Sequence, residues 1–177
     1  MALLDRTSEW QVWIPAVELP DIYYTTGTWT RTRNAAGDYY NTVAAADATS
    51  TIELPISHIV FRDVSGLGAG RGIQLRGFTY MYFIGTAAMD AHTYDMLETT
   101  YANTTAPAVS TTVGGTLSGT LATATNAQPY LTRVTFGTPY FMRQDRASYI
   151  QITANRALTT VYRVYGAFLD LAWVSNQ

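Results

Sequence analysis

The clearest alternation of apolar and polar residues lies near the C-terminal end of the chain. Between positions 148 and 155, Ile150, Ile152 and Ala154 share one parity, and polar or aromatic residues occupy the other. A period of two indicates a half-buried β-strand, and β-branched residues fit its pleated surface. The pattern predicts a strand that connects through residues 155–158 to a second, longer strand.

The second strand has apolar residues on both parities, which has two explanations. Tyr162 and Val164 lie on one parity, whereas the other is occupied by Ala167, Leu169, Leu171 and Trp173. A β-bulge at Gly166 would bring the two sets onto one face, because glycine within a strand often marks a bulge. Alternatively, the core covers one face and a neighbouring subunit covers the other.

Other stretches of the chain also alternate and predict further strands. The strongest of them are residues 9–19, 51–61, 72–88 and 131–142. Residues 90–101 fit a helix and a strand almost equally, and we favour the strand because the neighbouring segments are β. About seven to nine strands are expected in total. We therefore predict an all-β fold, a single-domain antiparallel β-sandwich of jelly-roll type over residues 9–177, preceded by an arm over residues 1–8.

The strand predicted at residues 72–88 carries two distinct rows of side chains. The first row is aliphatic and aromatic and is predicted to face the core: Ile73, Leu75, Met81 and Phe83. The second row combines a cation with three aromatic rings: Arg76, Phe78, Tyr80 and Tyr82. Such a row is suited to stacking on sugar rings or bases, or to contact with another subunit. The alternative is that the facing sheet or a loop covers it.

Composition narrows the classes of function. The 177 residues include no cysteine, so disulfides and thiolate metal sites are excluded. Only 14% of the residues are charged, the formal net charge is -2, and all 11 basic residues are arginine. A general nucleic-acid binder would show a basic stripe, which is missing here. No apolar run reaches the length of a membrane span, and no membrane span is expected.

The segment from Thr99 to Thr132 contains no charged residue. A solvated disordered linker would normally carry charge. The segment is therefore interpreted either as packing against something, such as another copy of the chain, or as a glycine-rich surface hairpin.

Candidate chemistry is sparse. Asp90, His92 and Asp95 form the one cluster of groups suited to a hard metal or to acid–base work, but a site would need a further ligand from elsewhere. The glycine-rich stretch at residues 65–72 matches neither common phosphate-loop template. We expect no catalytic residues, no metal and no cofactor, and hence no enzyme.

The order of strands and loops resembles that of viral jelly-roll structural proteins, including phage capsid and capsid-decoration subunits. The resemblance is carried by residues 51–61, 72–88, 131–142, 149–153 and 161–173, with Tyr165-Gly166-Ala167 in the last. It implies a non-enzymatic virion protein that assembles with its own copies, as a trimer or larger shell, and with other virion proteins. Capsid proteins that package naked RNA usually begin with a basic arm, which this chain does not, so direct nucleic-acid contact is not expected.

Two sets of surface residues follow from these interpretations. The residues expected at subunit contacts are Trp10, Trp13, Arg163 and Tyr165, since arginine and aromatic residues suit interfaces; for the two tryptophans, a place in the core is the alternative. A second hypothesis for function is a carbohydrate-binding module or receptor-binding head. It would bind a glycan on Phe78, Tyr80 and Tyr82 beside Arg76.

Overall fold

A computed structural model describes residues 7–16, 23–26, 29–33, 39–43, 48–56, 71–100, 110–112, 117–142, 146–156 and 160–175. These residues contain twelve strands: β1 (Thr7–Pro15), β2 (Tyr23–Thr26), β3 (Trp29–Arg33), β4 (Tyr39–Val43), β5 (Ala48–Pro55), β6 (Arg71–Ile84), β7 (Ala91–Thr100), β8 (Ser110–Thr112), β9 (Ser118–Thr120), β10 (Tyr130–Phe141), β11 (Arg146–Arg156) and β12 (Val161–Ser175). In this part of the chain, no helix is long and apolar enough to cross a membrane.

The strands form two antiparallel sheets. Sheet A has the order β10-β6-β12-β4-β3, and β1 also pairs with β12, beyond the part that pairs with β4. Sheet B has the order β2-β5-β11-β7-β8, and β9 also pairs with β7. The prediction of an all-β antiparallel sandwich is confirmed. Seven strands have eight or more residues, and the other five are short pieces that extend the two sheets.

The core lies between the inner faces of the two sheets. Phe78 of sheet A meets Tyr94 of sheet B edge to face, with ring centroids 5.2 Å apart. In β11, at the centre of sheet B, Ile150, Ile152 and Ala154 are buried, as their alternation predicts. Burial of such apolar side chains is the main favourable term in folding.

Of the two explanations for the double apolar row of β12, the bulge at Gly166 is confirmed. In the pairing of β12 with β6, Val164 lies opposite Tyr82 and Gly166 opposite Met81, so that Tyr165 is an extra residue. The bulge places both apolar sets of β12 on the inner face. The buried members are Tyr162, Val164, Ala167, Leu169 and Leu171, and Trp173 packs partly against the core.

A second bulge, which the sequence pattern did not predict, lies in β6. Asp170 pairs with Gly77 but Leu171 pairs with Leu75, which leaves Arg76 as the extra residue. The parity of β6 therefore changes at Arg76. The prediction that Met81 and Phe83 continue the core face of Ile73 and Leu75 is wrong; the residues that continue it are Phe78, Tyr80, Tyr82 and Ile84, all fully buried.

Other predictions are settled where the described residues reach them. Residues 91–100 form strand β7, which confirms the strand interpretation of the 90–101 segment. In the uncharged segment, Leu117 and Leu121 are buried in the chain's own core. Thr7 and Ser8 of the proposed arm belong to β1. The rest of that arm, the glycine-rich stretch up to residue 70, and residues 101–109 and 113–116 lie outside the described residues.

Gly166 provides a test of the bulge. Its φ of +140° disfavours any other residue, and an added Cβ would meet the carbonyl oxygen of Ile14 and lie 2.7 Å from a ring carbon of Trp13. We expect Gly166→Ala to lower the free energy of unfolding by about 2 kcal/mol or more, measured by urea denaturation. Gly137→Ala is the matched control, because a Cβ there has no atom within 4 Å. Equal effects of the two substitutions would contradict the strained bulge.

Candidate functional site

His92, which the sequence marks as a candidate metal ligand or base, is buried between the sheets. It lies on β7 of sheet B, and its ring makes two hydrogen bonds. Nδ1 is 3.0 Å from the carbonyl oxygen of Ala122, and Nε2 is 3.0 Å from the hydroxyl oxygen of Tyr162. A carbonyl oxygen only accepts, so Nδ1 carries the proton and Nε2 of the neutral ring is the acceptor.

This tautomer determines the direction of a longer hydrogen-bond chain. Tyr162 donates its hydroxyl proton to Nε2 of His92 and therefore accepts from the hydroxyl of Tyr80, 2.8 Å away. The chain runs from Tyr80 through Tyr162 and His92 to the carbonyl of Ala122. It links β6 and β12 of sheet A, β7 of sheet B, and the segment after β9.

Burial keeps this chain electrically neutral. It lowers the pKa of His92 to about 4 and raises the pKa of Tyr80 and Tyr162 above their usual range. Near neutral pH, all three side chains are therefore uncharged and linked by hydrogen bonds. His92 is held by Ala122 and Tyr162, whereas Asp90 is exposed. Among the described residues, no three His, Asp or Glu side chains form a group that could hold a metal ion.

The aromatic row proposed as a stacking platform is inside the molecule. Phe78, Tyr80 and Tyr82 are fully buried, and sheet B covers them. The ring of Tyr82 contacts His92 edge to face at 4.7 Å and stacks on Tyr130 at 5.1 Å. These three rings present no surface to a glycan or a subunit. The prediction that they bind either is therefore wrong, and the alternative, that the facing sheet covers them, is correct. Arg76 alone of the predicted set reaches the surface.

The residues expected at subunit contacts divide between the two faces of sheet A. Trp13 is 40% exposed on the outer face, where its ring lies 4.5 Å from that of Phe168. Arg163 lies over the ring of Phe83, 5.1 Å from the centroid. Trp10 is only half-buried but packs against the core, and Tyr165 is half-buried at the bulge.

An apolar outer strip crosses sheet A from β1 to β10. We define it as Trp13, Phe168, Met81 and Leu131. Trp13 pairs with Phe168 across β1 and β12, and in the next row Gly166, Met81 and Leu131 lie side by side across β12, β6 and β10. Leu131, at the end of the strip, is 65% exposed.

A polar outer groove lies beside this strip on the same sheet. Its volume is about 420 Å³, and it is lined by Glu9, Trp10, Gln11, Arg76, Arg133, Thr135, Asp170 and Leu171. Asp170 accepts a hydrogen bond from Gln11 at 2.5 Å and lies 3.5 Å from Nε of Arg133. Arg76 forms an ion pair with Glu9. Each carboxylate of the groove is therefore matched by a guanidinium.

Sequence reasoning identified one cation of this groove, Arg76, but not its partners. The groove forms only when β1, β12, β6 and β10 pair in their observed register, so its residues come from distant parts of the chain. One local signal existed. Asp170 is the single charged residue in the apolar run from Gly166 to Val174. A charged side chain within such a run usually has a polar partner.

Comparisons with known proteins found distant similarity to solved structures and no other match. No protein-family model and no curated protein matches the chain. Among solved structures, it is similar to a family 11 carbohydrate-binding module from Clostridium thermocellum, in complex with a β-1,3-1,4-mixed-linked tetrasaccharide, with 8% identity and a TM-score of 0.38 over 95% of this chain and 89% of that one. It is also similar to a chain in the structure of the infectious bursal disease virus Gx strain, with 10% identity and a TM-score of 0.26 over 96% of this chain and 39% of that chain. At these scores, neither similarity carries an argument about function.

The depressed pKa of His92 predicts a pH-dependent stability. The unfolded chain binds a proton at His92 near pH 6.5, whereas the folded chain binds it only near pH 4. Between these values the unfolded state holds more protons, so stability falls as the pH drops from 6.5 to 4, by about 3 kcal/mol in total. Urea unfolding across this range measures the loss.

His92→Gln is the control for this loss, because it keeps a donor and an acceptor without a titrating group. We expect the variant to lack the part of the pH slope that lies between 6.5 and 4. An NMR titration of the native imidazole gives the pKa directly and does not depend on how the variant folds. A ring that titrates near 6.5 in the folded protein would rule out the buried neutral histidine.

The direction of the hydrogen-bond chain predicts unequal effects of two hydroxyl deletions. Tyr162→Phe leaves Nε2 of His92 without its donor and the hydroxyl of Tyr80 without its acceptor. Tyr80→Phe removes only the terminal donor. In urea unfolding, we expect losses of about 2–3 kcal/mol for Tyr162→Phe and about 1 kcal/mol for Tyr80→Phe. Equal losses, or the reverse order, would contradict the assigned direction.

Proposed function

We propose that this chain is a non-enzymatic structural subunit of a virion shell, as a capsid or capsid-decoration protein. In this proposal it assembles with copies of itself through the outer face of sheet A. The observation that carries the proposal is the apolar outer strip, which continues over four adjacent strands and ends at the 65% exposed Leu131. Exposed apolar patches of this kind mark sites of protein contact.

The residue types around the strip suit an interface. Aromatic residues, methionine and arginine are enriched in interface cores, whereas lysine is depleted. The strip combines Trp13, Phe168 and Met81, and Arg163 lies beside it over Phe83. The chain contains no lysine anywhere. Arginine loses less free energy than lysine when its planar group is stacked and partly desolvated in a contact.

The series of predicted strands and loops along the sequence supports the viral assignment, because it resembles that of viral jelly-roll structural proteins. In a shell, each subunit buries part of its outer surface against neighbours, as a trimer or a larger assembly. The net charge of -2 gives no electrostatic basis for contact with nucleic acid. In this proposal the subunit lies in the virion, in contact with its own copies and other virion proteins.

Assembly through the strip predicts a charge-sensitive oligomer. We expect light scattering at micromolar concentration to give a mass above that of the monomer. Leu131→Asp should shift the protein toward the monomer, because an unpaired carboxylate would be desolvated in the contact. Thr125→Asp is the matched control, since it adds the same charge at an exposed position in the loop before β10.

Two outcomes would count against this proposal. A native protein that stays monomeric at micromolar concentration would remove its basis. An oligomer that both aspartate variants leave intact would show that assembly uses a surface other than the apolar outer strip.

A second proposed function is binding of carbohydrate, as a carbohydrate-binding module or receptor-binding head. The aromatic row first considered for this role is buried. The observation that favours the function now is the polar outer groove, which offers several fixed hydrogen-bonding groups beside apolar surface. Saccharide sites need this combination, because a sugar has both hydroxyl groups and apolar faces.

A further inference from the structure

We propose that the polar outer groove binds a short segment of a neutral saccharide chain. This inference rests on the second proposed function, carbohydrate binding, and gives it a site and a ligand class. It is independent of the assembly proposal. The groove, at about 420 Å³, lies within the range of roughly 300–1,000 Å³ typical of small-ligand sites.

The charges of the groove favour a neutral ligand. Glu9 and Asp170 contribute two negative charges, and Arg76 and Arg133 contribute two positive charges. Arg76 pairs with Glu9, and Arg133 lies beside Asp170. The groove therefore has no net formal charge with which to attract a phosphate, an anionic polymer or a cation. What remains is a dense set of donors and acceptors.

Hydroxyl groups match this set because each of them both donates and accepts. Asp170 offers acceptor oxygens, Gln11 offers a donor and an acceptor, and the two guanidinium groups offer planar pairs of donors. Neighbouring hydroxyls on a sugar ring present a donor and an acceptor at a separation that such bidentate groups can span. Arg133 is 69% exposed in its side chain and is accessible to a ligand.

The sheet holds these groups in place before any ligand arrives. They project from β1, β12, β6 and β10, four strands joined by continuous backbone pairing. The bulge at Arg76 inserts this residue between the pairs of Leu75 and Gly77. Trp10 and Leu171 also border the groove, but their side chains pack toward the core. Groups fixed in this way lose little conformational entropy on binding.

Affinity electrophoresis tests the inference with the full chain and named polymers. The gels contain a soluble β-glucan, xylan, mannan or dextran, with polygalacturonate as an anionic polymer. We expect retardation by at least one neutral polymer and none by polygalacturonate. Asp170→Ala removes the acceptor shared by Gln11 and Arg133, and we expect it to weaken binding at least tenfold. Arg76→Gln should weaken it less.

Glu53→Ala is the matched control, because it removes a half-buried carboxylate from the other sheet. Circular dichroism and urea unfolding identify any variant that fails to fold, and Arg76→Gln then provides the second test. Neutral-polymer binding that survives both groove substitutions would support carbohydrate binding but overturn this site.

Binding of none of the neutral polymers would overturn the site and the second proposed function together. Retardation by polygalacturonate alone would overturn the inference that the ligand is a neutral saccharide. If the groove substitutions change only the oligomeric mass in light scattering, the groove is a protein contact instead.

Discussion

The pairing of β6 with β12 through two bulges is the constraint on which the rest of the structure depends. The bulge at Tyr165 and Gly166 adds a residue to β12, and the bulge at Arg76 adds one to β6. The two insertions cancel, so the strands have the same register before the first bulge and after the second. Between the bulges, Leu169 faces the core. A one-residue slip would turn it to solvent and bring Asp170 inward, where its charge would lack a partner.

The same pairing places tyrosine hydroxyls in the core, and each needs a hydrogen-bond partner there. His92 supplies an acceptor to Tyr162, and the carbonyl of Ala122 ends the chain. Because the chain joins both sheets and the segment after β9, it specifies how the sheets pack at this end as well as stabilising them. A buried polar network does this only when every member is satisfied. Nearby, buried Arg156 donates to the carbonyl of Ala88 at 2.6 Å and holds the loop between β6 and β7.

The sequence predicted the sandwich and the alternation of β11, and it indicated the bulge at Gly166 as one of two explanations, because each has a local signal in period or in glycine placement. It did not predict the face of β6. Met81 and Phe83 are as apolar as Phe78 and Tyr80, so periodicity alone could not tell the two rows apart. Only the facing sheet decides between them. The outer groove could not be predicted from the sequence for a related reason. Glu9, Arg133 and Asp170 come together through the register of separate strands, which no local pattern encodes.

The two outer surfaces of sheet A lie on neighbouring rows, and this arrangement bears on how they could work together. Interfaces typically have an apolar centre and a polar rim that stays accessible to solvent. The apolar outer strip, ending at Leu131, matches such a centre, and the groove around Asp170 matches such a rim. A subunit that assembles through the strip would then leave the groove at the edge of the contact. Binding in the groove and assembly would be coupled through Trp13 and Phe168, which border Gln11 and Asp170 along β1 and β12, and through Leu131, which lies two residues from Arg133 in β10. The two proposed functions, assembly and saccharide binding, are therefore compatible on one face.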